Sequence, residues 1–173
     1  MSKAVMLSVR PKWVEKIANG EKTIEVRKTK PKLETPFKCY IYCTLPKYPY
    51  EDFIATDSPR PQFYGGGKVI GEFICDRIYE LAPLNHAPDD VEKQACLTRE
   101  EIVNYLKGTG YGWHVTGLRI YDVPRELSEF RRACKNSWYC ESCAMYRENN
   151  GTCGNESLQI RRPPQSWCYV EEG

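Results

Sequence analysis

Apolar and polar positions alternate along this chain with two periods, and the switch between them marks out the elements. "KAVMLSV", residues 3–9, is a short apolar run with strand character. Pro11 suits a first helical position, where its missing N–H would be unpaired anyway. Trp13, Val14 and Ile17 then share one helical face, and Asn19-Gly20 supplies the stop. "KTIEVRK" alternates, with Ile24 and Val26 on one side and Thr23, Glu25 and Arg27 on the other. The expectation is that the aliphatic pair faces a barrel core. "FKCYIYCT" reads as a third strand, and residues 48–67, rich in Pro, Gly, Asp and Tyr, as a long irregular loop. "GKVIGEFICDRIYEL" predicts a long strand bent at Gly71. Thr98 and Glu101 form a capping box for a helix through Leu106, closed by Gly108. "HVTGLRIYDVPREL" predicts a strand broken near Pro124, and "SWCYV" a closing strand. Strands outnumber helices, at a spacing that suits an α+β fold built on a small mixed β-barrel rather than βαβ units.

Composition narrows the class. The 173 residues suit one domain with a small appendage, and 41% hydrophobic content can furnish its core. A mean hydropathy of -0.60 and the lack of a long apolar run imply a water-soluble protein with no membrane partner. The start, "MSKAVMLSVR", has no secretory apolar region, so the expectation is a cytoplasmic chain that begins here. The net charge of +2 is unevenly spread. Residues 1–38 hold ten Lys and Arg against four Asp and Glu, an excess that permits a phosphate-bearing partner.

That excess directs attention to "NGEKTIEVRK", residues 19–28. Lys22, Glu25 and Arg27 are either a solvated strand face with an ion pair across it, or the floor of a polar site. Gly20-Glu21 makes a tight exit from the helix into the strand, which sets Lys22 where backbone and side-chain groups converge on a cleft. With the signature G-x-K-x-x-E-x-R complete as Gly20, Lys22, Glu25 and Arg27, "LSVRPKWVEKIANGEKTIEVRK" resembles the opening of an ASCH domain, of the PUA-like superfamily. "GKVIGEFICDRI" is similar to a later barrel strand of that family, and "PPQSWCYV" to the closing strand of its prophage-type members. The resemblance spans roughly residues 3–130 and 158–171.

The resemblance implies a β-barrel with a cleft that binds RNA or a modified nucleoside. Lys22 and Arg27 would hold a phosphate or carbonyl oxygen, and Glu25 would accept from an amine or hydroxyl. Arg10, Trp113 and His114 join them as ligand-binding candidates, with Trp113 suited to stacking on a base. Trp13, on the apolar helical face, reads as a core anchor. Some bacterial relatives are amidohydrolases acting on acetylcytidine. For that alternative the catalytic residues would be Lys22 and Glu72, although Glu25 stands where those relatives carry a threonine. A protein partner is left open, and a scaffold whose cysteine loop binds another protein is a third reading.

The nine cysteines divide into two groups. Cys39, Cys43, Cys75, Cys96 and Cys168 fall in or near apolar strand patterns and read as small buried hydrophobes. Cys134, Cys140, Cys143 and Cys153 are spaced C-x5-C-x2-C-x9-C in a polar insertion, residues 131–156. A C-x2-C turn aims two thiolates at one point, and two more cysteines complete a tetrahedral set for structural zinc. Free thiols on a loop and an iron–sulfur cluster are the other readings of the same spacing.

Overall fold

The run at residues 3–9 is a strand because both of its faces are covered. Val5, Leu7 and Val9 enter one apolar core, and Ala4 and Met6 enter another. The structure is a computed structural model that describes residues 3–47, 53–55, 62–82, 84–135, 137–151 and 153–173. Its elements begin with β1 (Lys3–Val9), α1 (Pro11–Ala18), β2 (Ile24–Arg27) and β3 (Phe37–Cys43). They continue with β4 (Phe53–Ala55), β5 (Gln62–Tyr64), β6 (Lys68–Glu80), α2 (Val91–Ala95) and α3 (Arg99–Leu106). β7 (Tyr111–Glu126), α4 (Ala144–Glu148) and β8 (Trp167–Glu171) complete the chain.

Six strands form one curled, mixed sheet in the order β2-β7-β6-β3-β1-β8. β1 runs parallel to β3, and the other neighbours are antiparallel. The expected α+β fold on a mixed sheet is therefore present, with the small barrel realised as a curled half-barrel. Its concave side holds the main core: Val5, Leu7, Cys39, Ile41, Phe73 and Trp113, plugged by Val14 and Ile17 of α1. The convex side is covered around Tyr40, Val69, Phe130 and Ile160. A third cluster gathers Ile24, Val26, Leu81, Val91, Ile102 and Leu106 beneath α2 and α3.

That third cluster reverses the expected orientation of β2. Glu25 pairs with Trp113 across the ladder, and Trp113 belongs to the concave core. Opposed residues of an antiparallel pair point to the same side. The charged row of β2 therefore faces the inside of the half-barrel, and Ile24 and Val26 face the helices. The alternation was sound, but α2 had no distinct sequence pattern of its own, so the apolar side had no visible partner except the barrel.

Two other expectations are corrected. The segment 48–67 includes a two-stranded ladder, β4 with β5, and its remaining expected loop falls partly outside the described residues. β7 runs through Pro124 without a break. The proline is tolerated because the β6 ladder skips from Ile120 to Arg125 there, so its missing N–H leaves no rung unmade. At Gly71 β6 is bulged: its register against both β3 and β7 shifts there, and a Cβ on Gly71 would lie 2.5 Å from the Arg119 carbonyl oxygen. The Thr98–Glu101 capping box forms as expected, while the left-handed residue that ends α3 is Lys107, with Gly108 following.

Ile24 is fully buried in the helix-facing cluster. Ile24→Ala should lower the unfolding free energy by about 2–5 kcal/mol and raise hydrogen exchange in α3, where Ile102 and Leu106 lose a neighbour. Urea unfolding with exchange mass spectrometry checks both. An unchanged midpoint would contradict the packing.

Candidate functional site

The charges of β2 are buried on the inner side of the sheet. Lys22, Glu25 and Arg27 retain only 2%, 6% and 6% of their exposure, so a solvated strand face is excluded. Local geometry explains how they get there. Gly20 at φ +74 turns the chain out of α1, a conformation that costs a Cβ-bearing residue strain. The Glu21 and Lys22 amides both return to the Lys16 carbonyl, which folds Lys22 back under the helix end. The Lys22 ammonium then donates to the Ala95 carbonyl at the end of α2, at 2.6 Å.

Glu25 sits between the two cations. One carboxylate oxygen lies 3.5 Å from Lys22 Nζ and the other 2.8 Å from an Arg27 nitrogen. Arg27 spends its remaining forked donors across the open seam of the sheet. It donates to the Ser8 carbonyl at 2.8 Å, and to the carbonyl and hydroxyl of Ser166 at 3.2 Å. β2 and β8 are the sheet's edges and share no ladder. Trp167 Nε1 to Thr29 Oγ1 at 2.9 Å, and the Lys32 amide to the Tyr169 hydroxyl at 2.7 Å, continue this side-chain seam.

Above the charged floor opens a cavity of about 630 Å³. Arg10, Trp13, Lys22, Glu25, Arg27 and Tyr105 line it, with Pro163–Gln165 on the far wall. Trp13 is half-buried, and its ring centroid lies 5.0 Å from Lys22 Nζ and 4.7 Å from Lys12 Nζ. Arg27 Nε is buried and has no hydrogen-bond partner among the described residues. Burial lowers the Lys22 pKa from the ordinary 10.5, and the Glu25 carboxylate only partly opposes it. A second hollow, lined by Arg132, Arg161 and Arg162 with Glu156, contains no buried charge.

The cavity gathers Lys22, Glu25, Arg27 and Arg10 and leaves the other candidates out. Trp113 has no exposed surface: it packs edge-on to Phe37 and against Trp167 in the core, so it offers no face to a base. His114 pairs with Ile24, on the opposite side of β7, and its Nδ1 lies 2.6 Å from Asp76. Glu72 is also on the wrong side. It neighbours Tyr40 on the convex face and accepts from the Tyr121 hydroxyl at 2.7 Å, so it does not join Lys22. The tryptophan that lines the cavity is Trp13, not Trp113. Its signal was the partly polar neighbourhood "RPKW", where a tryptophan on an apolar helix face sits beside cations at a helix start.

The four insertion cysteines are free thiols, with Cys134, Cys140 and Cys153 half-buried and Cys143 exposed. Burial pushes the Cys140 thiol up, and the neighbouring Cys134, Cys153 and Cys143 push it the same way. Cys39, Cys43 and Cys75 are buried in the concave core as expected. No described helix is long and apolar enough to cross a membrane.

Glu25→Gln would leave two buried cations without their shared anion. The variant should lose about 3–5 kcal/mol of stability, measured by denaturant unfolding; a loss under about 1 kcal/mol would mean that the pairing is solvated. Lys22 gives a separate signature in pH. The unfolded chain holds this proton to higher pH than the folded chain, so its contribution to stability rises as pH climbs through the lowered folded value towards 10.5. The stability difference between wild type and Lys22→Met should shift in favour of wild type across that window. A difference flat with pH would refute the shift.

No protein-family model matches the chain, and no curated protein matches it in sequence. Solved structures do match. The ASCH protein from Zymomonas mobilis aligns with a TM-score of 0.58 at 16% identity, covering 98% of this chain and 88% of that one. A single-residue mutant of that protein aligns at 0.59 and 16%, covering 99% and 92%. At such low identity the likeness is one of architecture. The chain shares the α+β fold of that ASCH protein across nearly its whole length.

Proposed function

We propose that this chain is a nucleic-acid-binding module of the ASCH type, which receives a single unstacked base or a modified nucleoside of RNA between Trp13 and the Lys22–Glu25–Arg27 floor. The observation that carries this reading is the combination of an aromatic wall with buried charges of both signs in one open cavity. A base needs a π face to stack on and edge groups to satisfy, and the cavity supplies both. Its volume lies within the range of small-molecule sites. Lys22 and the Arg27 guanidinium line the cavity and can donate to carbonyl oxygens, and Glu25 can accept from an exocyclic amine or a 2′-hydroxyl. Exposed Arg10 stands at the rim, where a phosphate would lie.

Hydrolysis of an acylated nucleoside is the less favoured reading. The lowered Lys22 pKa would suit a proton-transfer role, but Glu72, its expected carboxylate partner, faces the other side of the sheet. Titration of tryptophan fluorescence with single-stranded RNA oligomers and with acetylcytidine tests the proposal. Trp13→Ala should weaken binding about tenfold or more, as loss of one stacking platform does. It should also lower the thermal midpoint, because Trp13 packs on the concave core, so binding is measured well below that midpoint. Arg10→Ala should reduce the salt dependence of RNA binding. Absence of binding to RNA and nucleosides alike would overturn the reading, and release of acetate from acetylcytidine would replace it with the enzymatic one.

A further inference from the structure

The segment between Phe130 and Ile160 leaves the barrel through a closed stem. Ile160 donates its amide to the Phe130 carbonyl at 3.0 Å, Arg132 donates to Leu158 at 2.7 Å, and Arg131 and Gln159 form an antiparallel bridge. Phe130 and Ile160 are both buried against the convex face, so the stem is anchored in the barrel. Beyond it the chain makes a 3-10 turn over Ser137–Ser142 and the short helix α4. Yet no described side chain from Ala133 to Ser157 is buried, and Met145 is 52% exposed. Among the described residues the segment therefore has no apolar interior, the usual source of stability for such a length of chain.

The four thiols occupy the positions from which such an interior could be replaced. Cys143 donates its amide to the Cys140 carbonyl at 2.9 Å, closing the C-x2-C turn. α4 starts immediately after it, with the Tyr146 and Arg147 amides returned to the Cys143 carbonyl. Past the helix the chain doubles back: a Cβ on Gly154 would lie 3.3 Å from the Met145 carbonyl oxygen, which places Cys153 beside α4. Cys134 leads out of the other leg of the stem. Among the described residues no group of three or more His, Cys, Asp or Glu side chains is yet gathered closely enough to hold a metal ion. The donors nevertheless fit in kind and number, being four soft ligands on two legs and one turn, none in a disulfide.

We propose that Cys134, Cys140, Cys143 and Cys153 close around one structural zinc ion, which serves as the core of this appendage. The thiols lose their protons on binding, and zinc–sulfur bonds of about 2.3 Å replace the missing apolar contacts. Because the barrel has its own three apolar clusters, the metal stabilises the appendage alone.

The test uses the full chain, purified without chelator under reducing conditions and analysed for metals. About one zinc per chain is expected, with cobalt substitution giving the visible spectrum of a tetrahedral thiolate site. Cys140→Ser with Cys143→Ser should abolish metal retention, whereas Cys168→Ser, in β8, should keep it. Chelation should expose residues 133–157 to protease while the barrel's cooperative unfolding midpoint stays in place. Failure to take up zinc or cobalt even on reconstitution would overturn the proposal, as would full zinc retention in the double variant. Stoichiometric iron with cluster absorbance would overturn zinc as the occupant, and unfolding of the whole chain on chelation would overturn the confinement of its effect.

Discussion

A curled sheet whose two edge strands do not meet must close its seam by some other means, and here that means is Arg27. Its guanidinium reaches from β2 to the Ser8 carbonyl of β1 and to Ser166, next to β8. Backbone ladders would have sealed this line with unbroken N–H to carbonyl pairs. Side chains seal it instead, and they leave a gap wide enough for a cavity. The planar fork of an arginine suits this role, because it can span three acceptors that a lysine ammonium cannot hold in one plane. Glu25 fixes the orientation of that fork and ties it to Lys22, which in turn binds the end of α2. One run of charge thus connects the sheet edge, the seam and the helical layer.

Buried ion pairs of this kind are seldom a bargain in stability, since desolvation offsets much of their attraction. The same positions filled by aliphatic residues would extend the concave core through Trp113 and Val115. What the charges provide is a polar floor fixed before any ligand arrives. Each of the four signature residues has a distinct task in this arrangement. Gly20 supplies a left-handed turn, Lys22 a donor held by Ala95, Glu25 a shared anion, and Arg27 the clasp. The spacing follows from the strand: Glu25 and Arg27 are two apart and so share a face, while Lys22 precedes the strand and is steered by the helix exit.

The fold was largely legible because its elements are locally marked. Pro11, the Thr98–Glu101 box, Gly71 and the alternation of β2 each act through neighbours in sequence, and each does what its local physics requires. Errors arose where the deciding partner is remote. The inward face of β2 was assigned to Ile24 and Val26 because α2, five residues long and weakly patterned, was invisible as a covering layer. Trp113 looked accessible among glycines, but Gly112 is there to let β7 pass beneath Ile24 and Leu81, and the tryptophan turns inward. Glu72 follows a bulge whose register no sequence window reports. In the site, the charged residues were found through their motif, and the aromatic wall was missed because Trp13 is at once core contact and cavity lining.

This double use of residues distinguishes the barrel site from the appendage. At the cavity, the charged groups that line it are also those that close the sheet, so its lining and the architecture cannot be varied independently. Arg27 commits its two terminal nitrogens to Ser8, Ser166 and Glu25. That commitment restricts the rotamers open to its side chain. The cysteine segment follows the opposite logic. Its stem is anchored by Phe130 and Ile160, and beyond that anchor no described side chain from Ala133 to Ser157 is buried. Changes there reach the barrel only through the stem, whereas a change at Glu25 reaches the edge strand, the seam and α2 at once.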